Sequence, residues 1–433
     1  FLTLTTSDVE PLQKLGIYAS LGLVFAFILT YSLFPAMLIL YRPAYTLAPE
    51  QLKEVWQPFL YRNFLWVKKH PKAILLGAFF LTLFSFYGAS QLQINNHLVE
   101  DLKNMDAGRV ATGFFEERFS GTRQYELALA LKDTTKSVFD KEVLFAMERI
   151  DTFMKGEFGN NYWFSPVSVI KASNRIDHGG YEAYYKIPTS QRKINKLRRE
   201  LERNAKRTAT FPKVYTQDKL NARFSGKITD IGSHEARIRN GRLDEFMEQE
   251  KLTELFDYKY TGSVHLNDVN GYNVAFNVLN GLIFCVGFIM ILVGIMFRSV
   301  RMSWIAMVSN VLPLLVIAGI MGYIGVDIKI PTAIIFILSF GIAVDDSIHF
   351  LSTLKLELNK GKKVDEAIRN TFLSTGKAII VTSLILSGGF LTLALSSFSG
   401  TFYIGFFTSL CLIFAVSADL ILLPAMILLF YKN

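Results

Sequence analysis

Long apolar runs follow one another along this chain, and one wide polar stretch interrupts them. An apolar run of about 18 residues or more is long enough to cross a bilayer as a helix. Seven such runs occur, at Leu15–Leu40, Ala73–Ala89, Phe276–Phe297, Trp304–Ile324, Pro331–Leu351, Ala378–Leu395 and Phe402–Phe430. The polar stretch, residues 90–275, is wide enough for a domain of its own. Within it the period changes repeatedly. DAGRVATGFFEERF reads as a helix and QYELALAL as a strand, with Ser120, Gly121 and Thr122 as the turn between them. DKEVLFAMERIDTFMKGEFG is amphipathic, with Val143, Phe145, Ile150, Phe153 and Met154 apolar; ARFSGKITD reads as a strand and LDEFMEQEKLTELF as a helix. YKYTGSVHLNDVNGYN then leads into the third span. The fold class expected is a polytopic α-helical membrane protein with an α+β periplasmic, porter-like domain of small βαβ-like subdomains.

Composition sharpens this picture. The 433 residues are 51% hydrophobic, and the net charge is +9. Basic charge of that size can mark a nucleic-acid partner, but its placement points to membrane topology instead. Arg42, Lys53, Arg62, Lys68, Lys69 and Lys72 lie in one connection, Arg298 and Arg301 in a second. A third holds Lys355, Lys360, Lys362, Lys363, Arg369 and Lys377, whereas the alternate short loops hold only Lys14 and Lys329. The positive-inside rule puts the basic loops in the cytoplasm and residues 90–275 on the far side. The most basic run, TSQRKINKLRRELERNAKR, could contact anionic lipid or nucleic acid; its stripe of Ile194, Leu197 and Leu201 favours a solvated helix face. Both cysteines, Cys285 and Cys411, fall in spans, and no Asn-x-Ser/Thr sequon occurs. A disulfide-free external domain fits a bacterial inner membrane with the domain in the periplasm.

The chain also repeats itself. FLTLTTSDVEPLQKLGIYASLGLVFAFILTYSLFPAMLILY aligns without a gap to FLTLALSSFSGTFYIGFFTSLCLIFAVSADLILLPAMILLF. Phe1 matches Phe390, Gly16 matches Gly405, Pro35 matches Pro424 and Met37 matches Met426. Residues 1–41 are therefore expected to be the last helix of a first repeat, and 42–71 a cytoplasmic connector, either packed or lying at the interface. Residues 72–89 open the second repeat, 90–275 form the periplasmic domain, and 276–433 a five-helix bundle with a cytoplasmic helix near 355–376. An intact two-repeat protein would have twelve spans, and the N-terminal repeat would be a partner of this half.

The candidate chemistry lies in IPTAIIFILSFGIAVDDSIHFL, Ile330 to Leu351. An aspartate at the centre of a span costs roughly 2.5–3.5 kcal/mol on insertion scales, and Asp345 and Asp346 are adjacent. Residues i and i+4 share a face, so Asp345 can reach His349, while Asp346 points about 100° away. Gly341, one turn earlier, is expected to let a neighbouring helix approach closely. Such a layout suits an ion or proton relay, since a carboxyl taken out of water favours its neutral form and repacks when it gains or loses charge. The structural alternative is a pair satisfied by hydroxyls. Thr382 and Ser383 in the next span could supply these or serve helix packing alone, and His349 is either a carrier of the ion or a structural helix-end residue. Asp419 reads as a local hydrogen bond, because its repeat partner is Thr30, and Asn310 and Pro313 read as shaping a kink. No Walker motif, zinc spacing or nucleophile constellation is present, so no catalytic or metal residue and no cofactor is expected.

The sequence GIAVDDSIHF, Gly341 with Asp345 and Asp346, resembles the fourth and tenth transmembrane helices of the resistance–nodulation–division superfamily. It is most similar to the hydrophobe-exporter, MMPL and Patched/Dispatched-like branches. Matching segments lie in order around it: TGSVHLND, FRSVRMSWIAMVSNVLPLL, GKKVDEAIRNTFLSTGKAIIVTSLIL, and the paired FLTL and LPAM. The resemblance implies a secondary transporter, not an enzyme, that uses proton antiport to export lipids or other hydrophobic substrates. Asp345 and Asp346 would carry H+, or Na+ as in some members. Two alternatives stay open: an accessory of protein secretion or envelope assembly with periplasmic partners, and a non-transporting lipid sensor.

Overall fold

A computed structural model describes residues 5, 10–40, 49–97, 107–160, 162–207 and 214–431. The segment FLTL at Phe1–Leu4 and the connector residue Arg42 lie outside them. In chain order come α1 (Glu10–Leu40), α2 (Pro49–Lys69) and α3 (Pro71–Ala89), then α4 (Ala107–Arg118) and β1 (Arg123–Leu131). Next are α5 (Lys141–Phe158), α6 (Pro166–Asp177), α7 (Gln191–Arg207), β2 (Asn221–Ile228), α8 (Gly232–Gln249) and β3 (Phe256–Thr261). The remaining helices are α9 (Ser263–Phe297), α10 (Val300–Tyr323), α11 (Ile330–Asn359), α12 (Val364–Leu391), α13 (Ser399–Ser417) and α14 (Leu423–Phe430). They form two compact units, residues 95–270 in one and residues 1–94 with 271–433 in the other.

The smaller unit is built on a three-stranded antiparallel sheet of order β2-β1-β3. β1 is central, pairing along both edges, and its alternate apolar residues share one face that the helices cover.

 Leu127 and Leu129 are both fully buried on that face. Leu127 stands opposite Phe224 on one side and Tyr260 on the other. The expected βαβ-like subdomains are thus corrected: every pairing among these strands is antiparallel, because the helical excursions between them return the chain in the opposite direction. Periodicity gives strands but not their direction.

The helices cover the sheet as their stripes require. α5 buries Val143, Met147, Ile150 and Met154 and ends at Gly159, whose φ of 64° closes the helix in the left-handed region. Phe145, expected on the buried stripe, is exposed, because it lies on the opposite side of α5 from Val143 and Ile150. In α7 Ile194 and Leu197 are buried and Leu201 packs beside them, which leaves its charges on the outer face. A tyrosine cluster closes the far side. Tyr258 and Tyr260 both donate to Asp244 Oδ1, at 2.8 and 2.6 Å, and Tyr125 donates to Asn240 Oδ1 at 2.6 Å. Burial first, and the Asp244 charge second, raise the Tyr125 phenol well above its ordinary value; Tyr258 and Tyr260 are raised by burial and then by their bonds to Asp244. Phenols with raised folded-state pKa stabilise the fold fully below their unfolded pKa of about 10 and lose that contribution as pH rises above it. Alkaline unfolding followed by tyrosinate absorbance should therefore show these phenols ionising together with loss of structure. In Tyr260→Phe the alkaline transition should be shallower.

In the larger unit seven helices or helix pairs are long and apolar enough to span a membrane. Four depart from the expected bounds. α9 starts at Ser263, because Gly262, with φ of 93°, ends the strand and no proline follows within the helix. The separate helix expected near 355–376 is absent: its first residues finish α11 and its last begin α12, and Gly361, with φ of 79°, makes the tight turn between them. The span from Ala378 is the second half of α12. The last span is broken into α13 and α14 by a π turn, Ala418–Leu422. Pro424 follows the turn and lacks the N–H that would serve the Leu420 carbonyl in an α-helix.

The connector's helix α2 is a packed element on one side and an apolar-rich surface on the other. Leu60 and Phe64 enter the bundle core, with the Phe64 and Phe372 rings 6.2 Å apart, while Phe59, Leu65 and Trp66 stay exposed. α1 exposes Phe25, Phe27 and Phe34 along its length.

Candidate functional site

α11 starts where Pro331 occupies its first turn and Thr332 Oγ1 accepts from the Lys329 N–H at 2.7 Å. The helix then runs unbroken past the acidic pair. Its inward face buries Phe336, Phe340, Ala343, Val344 and Ser347, and the pair falls at the edge of that face. Asp346 is half-buried and accepts a hydrogen bond from Ser383 Oγ at 2.5 Å. Ser383 is itself buried on α12, so this bond ties the two helices at the level of the pair.

Asp345 faces the other way. Gly341, Asp345 and His349 form one exposed stripe, as their spacing requires, but no hydrogen bond or ion pair joins Asp345 to His349. Among the described residues the close packing expected at Gly341 is not there: a Cβ on it would meet none of their atoms within 4 Å. Small size permits close approach without compelling it. Of the two roles open to Thr382, the structure gives it the one within its own helix. It is exposed and its hydroxyl donates to the carbonyls of Ala378 and Ile379 in its own helix, because one residue of helix rotates it away from Ser383.

A second polar group stands behind the first. Ser347, next to Asp346, contacts Asp419 Oδ1 from the π turn and lies 3.1 Å from Asn310 Oδ1 on α10. All three side chains are buried. The local hydrogen bond expected of Asp419 is corrected: its contact is with Ser347 on α11, far away in sequence, because the π turn brings it against that helix. Asn310 Nδ2 donates to the Ala306 carbonyl at 2.8 Å, which fixes the side chain within α10 beside Pro313. Read singly along the sequence, these residues gave no sign of meeting. The available signal was that Asn310, Ser347 and Asp419 each sit inside a different apolar run, where an unpaired polar group is costly.

The model of the MMPL family matches residues 216–432, half of the chain. This chain belongs to the MMPL family. MMPL proteins are membrane transporters of the resistance–nodulation–division type, and the matched stretch includes α9 to α14 with both polar groups. A protein of Methanocaldococcus jannaschii, named as a membrane protein, is 24% identical over 375 residues, covering 84% of this chain and 91% of that protein. Within the matched stretch one carboxyl is held by a hydroxyl, one is exposed beside it, and a third is buried behind them.

Proposed function

We propose that this chain is part of a proton-driven exporter of lipids or other hydrophobic molecules in a bacterial inner membrane, with residues 95–270 in the periplasm. The observation that carries the reading is the half-buried Asp346, bonded to Ser383 and adjacent to the exposed Asp345 midway along a span. Loss or gain of a proton there changes the charge of the α11–α12 contact, and the helices repack in response. Na+ could occupy the same carboxyls in place of the proton. The hydrophobic substrate class is supported by an apolar groove between α9, α10 and α11. Leu282, Ile283, Val286, Val311, Leu315 and Phe336 help to line it.

The test uses the full-length gene in its native host. Lipid composition of the inner and outer membranes is compared in a deletion strain carrying wild type or Asp345→Asn/Asp346→Asn. The expected result is one lipid class accumulating in the inner membrane in both the deletion and the mutant, with export reduced to the deletion level. Normal lipids with lost secreted proteins would replace the reading by a secretion accessory. Full export by the double variant would leave no role for the pair.

A further inference from the structure

We infer that Asp419 is a proton-binding site of the resting bundle, holding its proton as a carboxylic acid that donates to Ser347. The inference stands apart from whether Asp345 and Asp346 cycle, because it rests on a count of hydrogens.

Ser347 has one hydroxyl hydrogen. Two acceptor oxygens lie within reach of it, Asn310 Oδ1 and Asp419 Oδ1. Were Asp419 ionised, Ser347 could serve only one of them, and the other would face the hydroxyl's lone pairs. Turning the Asn310 amide over does not help. Its Nδ2 would then donate to Ser347, but its oxygen would stand 2.8 Å from the Ala306 carbonyl oxygen, with no hydrogen between. Only one arrangement places a hydrogen in each of these three contacts. Asp419 donates its own hydrogen to Ser347 Oγ, Ser347 donates to Asn310 Oδ1, and Asn310 donates to Ala306.

The remaining oxygen points to the same state. Asp419 Oδ2 has no hydrogen-bond partner, and the side chain is 1% exposed. A bare anionic oxygen in so apolar a place is far more costly than a carbonyl oxygen. The helices packed around the π turn are α3, α10, α11, α13 and α14. They bring no cation to Asp419 among the described residues, and Lys355 on α11 is spent on the Met296 carbonyl. Lys72 on α3 and Arg301 on α10 lie at the ends of their helices, and Cys411 on α13 is buried.

Infrared spectroscopy of the full chain in lipid nanodiscs, with carboxyl-labelled aspartate, reads this directly. At pH 7 the wild type should show a carboxylic-acid carbonyl band that shifts in heavy water. Asp419→Asn should remove it, and Asp345→Asn/Asp346→Asn should keep it. If Asp419→Asn does not fold, Ser347→Ala serves instead, and the band should move upward as its hydrogen bond is lost. A spectrum in which neither variant alters a carboxylic-acid band overturns the inference. So does a band that is present without sodium and vanishes when sodium is added, which would make the site one for a metal cation.

Discussion

Arg123→Met should destabilise the residue 95–270 unit by about 3–5 kcal/mol, the cost typical of removing one partner from a buried ion pair. Arg123 is 2% exposed at the start of β1 and bonds Asp230 at 3.1 Å and Asp268 on α9. Glu116 supports the arrangement by accepting from the Asp230 and Thr122 N–H groups at 3.0 and 2.9 Å. Without the guanidinium, two carboxylates would be left facing each other with little water. Adding Asp230→Asn and Asp268→Asn to Arg123→Met should restore much of the loss, since it removes the uncompensated charge. Chemical unfolding of the full chain, followed by tryptophan emission from the fully buried Trp163, measures both variants. Equal stability of Arg123→Met and wild type would show that the pair is not stabilising against its charged remainder.

Gly319→Leu should be at least as damaging to the larger unit. A Cβ at Gly319 would lie 2.7 Å from Ser85 Cα, and one at Gly322 would lie 1.8 Å from the Gly88 carbonyl oxygen. These are backbone atoms, so α3 and α10 would have to separate. The expected loss is at or above the upper end of the ~1–3 kcal/mol usual for overpacking. Gly77→Ala on the same helix α3 is the control, because a Cβ there meets nothing within 4 Å, and it should leave stability unchanged or slightly raised. Unfolding in mixed micelles compares the two. A Gly319→Leu protein as stable as the control would mean that the contact is not a seam the bundle depends on.

These two sites show which features were legible in the sequence. The spans were, because bilayer thickness imposes a length that composition cannot hide. The strands β1 and β2 and the helix α5 were, because burial on one face imposes a period. Close packing was not. Gly341 and Gly319 look alike in the sequence, and only the neighbouring helix distinguishes a glycine that meets a backbone from one that meets nothing. Of the candidate site, Asp346 and Ser383 were legible as a pair of polar residues in adjacent spans. Thr382 and Ser383 were left open between two roles, because one residue of helix rotation decides which hydroxyl points inward. The Asn310–Ser347–Asp419 group needed three helices brought together, and no local pattern encodes that.

The π turn gives the last span a property that α1, its match in sequence, lacks. α1 runs as one α-helix through Thr30 and Pro35, and Thr30 bonds only to the Ala26 carbonyl of its own helix. With Asp419 in the place of Thr30, the last span is divided, and α13 and α14 contact different sets of helices. The two halves are therefore separate mechanical pieces meeting at a joint, and the acid sits in the joint itself.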